Sequence, residues 1–181
     1  IGALCMFLQN RYARTAPLGF DKAWLVTSDI NKTVSSKQKV LEERLKQHPE
    51  VAGVAFSVQP FFGEMDVYSS WGRKINGERI SFDVLIVSPS FLKVMNIPTI
   101  EGRDFREEDS QGVDGCFIMN RMARERYDLQ AGDKIEPQEV VGVVDNFHYA
   151  SMRRGISPMA FYTLGKENWI NEEPIDQLYT Y

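Results

Sequence analysis

The sequence predicts an α/β fold, and three segments carry that prediction. Residues 24–30 and 51–58 are runs of apolar and β-branched side chains with a helical pattern between them, which forms a strand–helix–strand unit. Residues 79–87 alternate between apolar and polar side chains like a half-buried strand, and their apolar face holds Ile80, Phe82, Val84 and Ile86. Residues 139–144 are apolar and β-branched, as in a strand that crosses a sheet.

The first helix is predicted between residue 30 and Pro49. Ser35 with Gln38 three residues later is a capping-box pattern, and Pro49 stops the helix. The apolar side chains between these signals share one helical face and are Val34, Val40, Leu41 and Leu45.

Glycine and proline divide the middle of the chain into hairpins and short helices. From Pro60 the turn signals of the hairpins are Gly63, Gly72 and Gly77. Ser88 and Pro89 predict the cap and the first residue of a short helix. A strand at 116–119 precedes a helix that Asn120 can cap. Further strands are predicted at residues 158–164 and 178–181.

Size, charge and motifs exclude several function classes. The chain has 181 residues and a net charge of −4, and it lacks the clustered Lys and Arg that nucleic-acid binding requires. It contains neither a glycine-rich phosphate loop nor a Gly-x-Ser-x-Gly elbow. We therefore expect no nucleic-acid partner, no cofactor, no metal site and no enzyme activity in this chain.

Three groups of side chains are still candidates for chemistry. Asp145 and His148 are near neighbours, and a carboxylate that orients an imidazole is a device of catalytic and metal sites, although a turn with an unreactive histidine is the favoured interpretation. The acidic stretch that could bind calcium lacks the alternation of a calcium loop, so an exposed loop is favoured for Asp104, Glu107, Glu108 and Asp109. The seven methionines are scattered and are interpreted as core residues.

Three further features leave alternatives open. Phe61 and Phe62 form an exposed contact patch or, as we favour, lie beneath a hairpin. Cys5 and Cys116 form a disulfide or stay unpaired, and the latter is favoured. The apolar residues 1–8 are the outer end of a transmembrane helix or a buried N-terminal helix.

The order of short motifs resembles one family. The motifs are Leu-Gly-Phe-Asp-Lys at 18–22, His-Pro-Glu-Val at 48–51, Val-Ser-Pro-Ser-Phe-Leu at 87–92, Ile-Glu-Gly-Arg-Asp-Phe at 100–105, Phe-Ile-Met-Asn at 117–120, a turn with Gly132 at 129–134, and Val-Val-Gly-Val-Val-Asp-Asn-Phe-His at 140–148. Over residues 10–164 this succession resembles the periplasmic core domain of MacB/FtsX-type ABC-transporter permeases, in the version common in Bacteroidetes-type bacteria.

The resemblance implies a two-lobed α/β (α+β) domain. Residues 20–59 and 138–181 would form a porter-like strand–helix–strand lobe, truncated at its C-terminus, and residues 60–137 an inserted mixed lobe. Residues 1–10 would be the remnant of the first transmembrane helix.

The resemblance also implies a function without chemistry in this domain. Such permeases sit in the bacterial inner membrane with this domain in the periplasm, and couple ATP hydrolysis by an ATPase subunit or domain to export, efflux or action on a periplasmic partner. The partners implied are that ATPase, reached through the membrane part, a second permease copy, and a periplasmic adaptor or transported substrate. The alternative functions are a ligand-sensing ectodomain of a membrane receptor and, less favoured, an enzyme that uses Asp145 and His148.

Overall fold

The computed structural model describes residues 25–61, 69–75, 77–135, 137–147, 155–163 and 177–180, which form two sheets and several short helices. The smaller sheet is antiparallel and has the strand order β1 (Val26–Asp29), β10 (Gln177–Thr180) and β2 (Val54–Ser57).

The larger sheet mixes parallel and antiparallel pairs. In spatial order its strands are β3 (Ser69–Ile75), β4 (Glu78–Ile86), β9 (Met159–Thr163), β6 (Cys116–Asn120), β8 (Gln138–Val144) and β5 (Thr99–Gly102), and β7 (Lys134–Ile135) also pairs with β8. The pairs β4–β9 and β6–β8 are parallel, and the others are antiparallel. The predicted α/β class is confirmed.

Four short α-helices and one 3-10 helix connect the strands. They are α1 (Lys32–Ser35), α2 (Gln38–Leu45), α3 (Phe91–Val94), the 3-10 helix Glu107–Ser110 and α4 (Arg121–Tyr127). Among the described segments, none of the helices is long and apolar enough to span a bilayer. The predicted transmembrane remnant at residues 1–10 lies outside the described residues.

The larger sheet buries both of its faces. Successive side chains of a strand point to opposite faces, and the two faces carry separate apolar clusters. One contains Leu85, Phe91, Ile118, Phe147 and Phe161, and the other contains Phe82, Phe117, Ala123, Ile135 and Tyr162. This explains why β6, β8 and β9 are nearly continuous apolar runs, whereas β4 begins with clean alternation.

Two predicted helix caps are wrong. Ser35 is the last residue of α1, and the side-chain oxygen of Asn31 instead accepts a hydrogen bond from the Val34 amide at 3.0 Å. The predicted single helix is therefore broken in two at residues 36–37, and α2 ends before Pro49. The Ser88 hydroxyl does not cap α3, because it accepts a hydrogen bond from the Phe56 amide in β2.

Other local predictions are confirmed in part. Asn120 caps α4, because its side-chain oxygen accepts from the Ala123 amide at 2.9 Å. Gly77 adopts φ +85° in the tight β3–β4 turn, whereas Gly72 lies within β3 rather than at a turn.

The predicted burial of Phe61 is confirmed: it is 4% exposed, and its ring meets Phe91 edge to face. Phe62 lies outside the described residues.

The sheet pairings bear on the division into lobes. β10 pairs with β1 and β2, but β8 and β9, which the sequence division placed with the same lobe, pair with β6 and β4 of the larger sheet. The two-lobe organisation stays a proposal. If the chain is divided in this way, these pairings assign β10 to the smaller lobe and β8 and β9 to the other one.

Candidate functional site

Three of the sequence-predicted site residues, Asp104, Asp109 and Asp145, pair with groups of the fold itself. Asp145 is exposed after β8, and its carboxylate lies 3.3 Å from the Arg121 guanidinium at the start of α4. His148 lies outside the described residues. The structure therefore gives Asp145 an arginine partner, and its predicted pairing with the imidazole stays untested.

The acidic stretch is organised by an arginine. The carboxylate of Asp109 accepts two hydrogen bonds from Arg103, at 2.7 and 2.8 Å, and one from the Arg106 amide at 2.8 Å. Burial alone would raise the pKa of Asp109, but these hydrogen bonds outweigh it and lower the pKa below its ordinary value. Burial raises the pKa of Asp104, whose carboxylate accepts from the Phe105 amide. Within the described ranges, no three His, Cys, Asp or Glu side chains are grouped to hold a metal ion.

Cys116 is buried, and burial raises the pKa of its thiol and disfavours the reactive thiolate. Cys5 lies outside the described residues, so their pairing is not tested.

Two asparagines hold the beginning of α4. Asn120, at the end of β6, accepts from the amides of Ala123 and Met159 and donates to the Ser157 carbonyl at 2.9 Å. Asn146 follows β8 and accepts from the Met122 amide at 2.8 Å. Sequence analysis found the first of these caps but missed the second, because Asn146 is 24 residues away from the amide it caps. The Asp-Asn-Phe-His motif is thus partly structural, and its Phe147 stacks on Phe161 at 5.4 Å.

A group of polar contacts between distant segments joins the two sheets. One edge of β2 pairs with β10 of the smaller sheet. On the other side, Ser57 forms a β-bridge with Val87, and the Val58 amide donates to the Ile86 carbonyl at 3.0 Å. We call this contact between β2 and residues 86–90 the sheet junction.

Two serines extend the sheet junction beyond β4. The Ser88 amide donates to the Phe56 carbonyl at 2.9 Å, and the Ser88 hydroxyl accepts from the Phe56 amide at 3.0 Å. The Ser90 hydroxyl donates to the Val54 carbonyl at 2.7 Å. The backbone of β2 thus finds partners on its second edge although no complete strand lies there.

The sheet junction is also closely packed. All four residues of β2 are buried, and Ala55 belongs to the apolar cluster that contains Phe91 and Leu92 of α3. At Gly53, an added Cβ atom would lie 2.9 Å from Cγ2 of the buried Val94. Since α3 lies directly on this backbone, a side chain at position 53 would force the two apart.

Sequence comparison identifies the family to which this fold belongs. Residues 13–171 match the model of the MacB-like periplasmic core domain. The chain belongs to this family. The resemblance drawn from the motif order is therefore confirmed: this MacB-like domain is an extracytoplasmic domain of a MacB/FtsX-type ABC-transporter permease. No curated protein matches the sequence.

Two solved structures share the fold of this MacB-like domain. The periplasmic region of MacB from Actinobacillus actinomycetemcomitans aligns with a TM-score of 0.57 at 11% identity, over 90% of this chain and 75% of that one. The extracellular domain of the noncanonic ABC-type transporter YknZ from Gram-positive bacteria aligns with a TM-score of 0.52 at 14% identity, over 84% and 73%. At these identities the likeness concerns the fold alone.

Proposed function

We propose that this MacB-like domain transmits ATP-driven movement of a permease to a periplasmic partner or exported substrate, and that it does so without catalysis of its own. The observation that carries the proposal is the sheet junction, in which β2 is bonded on both edges. A displacement of the smaller sheet then moves the larger sheet with it.

The hydrogen bonds of the junction are suited to that role. Those of Phe56 belong to β2, whose residues are all buried, and that of Val58 follows β2 directly. Breaking the Phe56 bonds would leave buried polar groups without partners. Opening the junction would also expose apolar surface of Ala55 and Phe91. Both costs favour movement of the two sheets as one body.

Family membership supplies the setting of the proposal. ABC permeases work with ATPase subunits, so an ATPase, reached through the membrane part, is the proposed source of the movement. We place the domain on the periplasmic side of a bacterial inner membrane, with a second permease copy as its partner in the membrane. A periplasmic adaptor or the transported substrate would receive the movement.

The test uses the full permease with its ATPase. Spin labels replace the exposed Lys39 in α2 and the exposed Glu107 in the 3-10 helix, and pulsed dipolar distances are measured with and without ATP. In the unchanged protein the distance between the two labels of one copy should stay constant, while distances between the two copies change at both positions.

In the junction variant Ser88→Ala/Ser90→Ala, the ATP-dependent distance changes at positions 39 and 107 should be affected differently. The inter-copy change at position 107 should shrink while the change at position 39 and the ATPase rate persist. The matched control is Ser70→Ala/Ser81→Ala, which removes an exposed hydroxyl pair 3.1 Å apart on β3 and β4. An unaltered response at position 107 in the junction variant, or no ATP-dependent change at either position, would contradict the proposal.

A further inference from the structure

The tip of the β3–β4 hairpin is a cationic region on an acidic protein. Residues 73–79 contain three basic residues and one acidic residue, whereas the whole chain has a net charge of −4. Lys74 and Arg79 are direct cross-strand partners, and both are exposed. Like charges directly opposite each other in a sheet repel and lower stability.

Among the described residues, no carboxylate forms a salt bridge within 4.0 Å with either Lys74 or Arg79. Glu78 is paired with Ile75, so alternation places it on the opposite face of the hairpin. Asp83 shares the face of Arg79 but lies four residues, or about 13 Å, further along β4.

The face that carries the two cations is exposed in the described part of the chain. Between them and Asp83 it presents Gly72 and the hydroxyls of Ser70 and Ser81. An added Cβ atom at Gly72 would have no neighbour within 4 Å, so none of the described residues covers this part of β3.

The opposite face of the hairpin is anchored. Trp71 meets Phe117 and Tyr162 edge to face, at 6.1 and 5.2 Å, and Phe82 is buried beside them. The Arg73 guanidinium lies 4.6 Å above the Trp71 ring. A hairpin held in this way presents its cations at fixed positions, which reduces the entropy lost on binding.

The tip lies far from the sheet junction. β4 runs from Glu78 at the tip to Ile86 at the junction, which is about 26 Å of extended strand. If the domain works as proposed above, the smaller sheet, with β1 and β10, is the side that receives movement from the membrane. The tip then lies at the end of β4 that is remote from the sheet that receives the movement.

We infer that the solvent face of this hairpin tip, with Lys74 and Arg79 at its centre, docks an acidic protein surface in the extracytoplasmic space. The inference rests on the proposed function only for the choice of a protein partner rather than a lipid surface. The unpaired cations themselves favour carboxylates or phosphates.

The test maps where an anionic probe binds. A polyglutamate peptide is titrated into the 181-residue chain at low ionic strength, and amide chemical shifts are followed by NMR. Shifts should concentrate at residues 70–83. Lys74→Gln/Arg79→Gln should weaken binding about tenfold, which corresponds to about 1.4 kcal/mol, because two exposed charge pairs are lost.

The matched control is Lys39→Gln in α2 together with Lys46→Gln just after it, which removes the same charge from exposed positions and should leave binding unchanged. Equal weakening by both double variants would show diffuse attraction and overturn the inference, as would no binding by the unchanged chain. Vesicles of phosphatidylglycerol serve as the second probe, and tighter binding to them through the same two residues would overturn the choice of a protein partner. None of these results depends on ATP-driven movement, so they are separable from the test of the proposed function.

Discussion

The smaller and larger sheets bury their strands very differently. All four residues of β1 are exposed and α2 has no buried residue, whereas every residue of β6 and β9 is buried. β2 belongs to the smaller sheet by pairing, yet its burial is that of the larger one. Membership of a sheet therefore does not decide burial: β2 is buried because it also packs against residues outside its own sheet.

The largest expected effect comes from an aromatic side chain of the larger sheet, in the apolar cluster that also contains Ala55 of β2. Phe161 of β9 is 1% exposed and contacts the rings of Phe147, Phe91 and Phe61. Phe161→Ala should lower the free energy of unfolding by about 3–5 kcal/mol, because it removes these contacts and leaves a cavity. The measurement is urea denaturation followed by circular dichroism.

The matched variant in the smaller sheet is Val26→Ala. Val26 is 64% exposed, so the loss should be below about 0.5 kcal/mol. Similar losses for the two variants would contradict the contrast between the sheets.

Two asparagine caps compare a buried hydrogen bond of the larger sheet with an exposed one next to the smaller sheet. Asn120→Ala should cost about 3 kcal/mol, because it leaves the buried amides of Ala123 and Met159 without their acceptor. Asn31→Ala removes an exposed cap from α1 and should cost about 1 kcal/mol or less. Thermal unfolding of both variants measures the difference, and a larger loss for Asn31 would reverse our interpretation.

Glycines test how closely the backbone packs. At Gly142 in β8, an added Cβ atom would overlap the Arg103 carbonyl oxygen and come 3.0 Å from Thr99 Cγ2, so Gly142→Ala should cost about 2 kcal/mol. At Gly72, on the uncovered face of β3, the same change meets no neighbour and should be neutral or slightly stabilising. Chemical denaturation measures the change in the free energy of unfolding for both variants. Equal changes would contradict the prediction and show that β8 and β5 can separate to make room for the added methyl group.

The smallest effect is a dependence on pH. Asp109 has a lowered pKa, so its carboxylate stabilises the fold above the unfolded-state pKa of about 3.9 and loses that contribution as pH falls through the folded value. Asp109→Asn should therefore lower stability at pH 7 and flatten the loss of stability below about pH 4. Urea midpoints measured across pH test this.

Asp104→Asn is the control, because the pKa of Asp104 is shifted in the opposite direction from that of Asp109. Burial raises the pKa of Asp104, so its ionised form costs stability at neutral pH, and the amide should not destabilise the protein there. A loss at pH 7 equal to that of Asp109→Asn would contradict the assignment of the acid dependence to Asp109.

Local sequence signals predicted much of the fold. The alternation in β4, the apolar run of β8 and the cap at Asn120 all depend on neighbours within a few residues. The partners of Ser88 and Asn146 lie 32 and 24 residues away, and no local pattern reveals them. The pairing of β9 with β4 and of β8 with β6 is likewise not visible in the sequence, because pairing is set by three-dimensional packing and not by order along the chain.

The candidate site was less predictable than the fold. Sequence analysis singled out Asp145 and His148 because of their chemistry, whereas the sheet junction is made mainly from backbone groups and two serine hydroxyls. Such groups occur throughout any sequence, so only the structure shows which of them join distant segments. The family itself was recognisable from the order of motifs.

Amide hydrogen exchange at the sheet junction tests most directly the claim that β2 moves with the larger sheet. The account predicts that the amides of Phe56, Val58 and Ser88 exchange as slowly as those in the centre of β6, through global unfolding, while the amides of β1 exchange much faster through local opening. If the junction amides instead exchange at the rate of β1, then β2 opens with the smaller sheet. The two sheets would in that case be separately mobile, and the junction could not transmit movement between them.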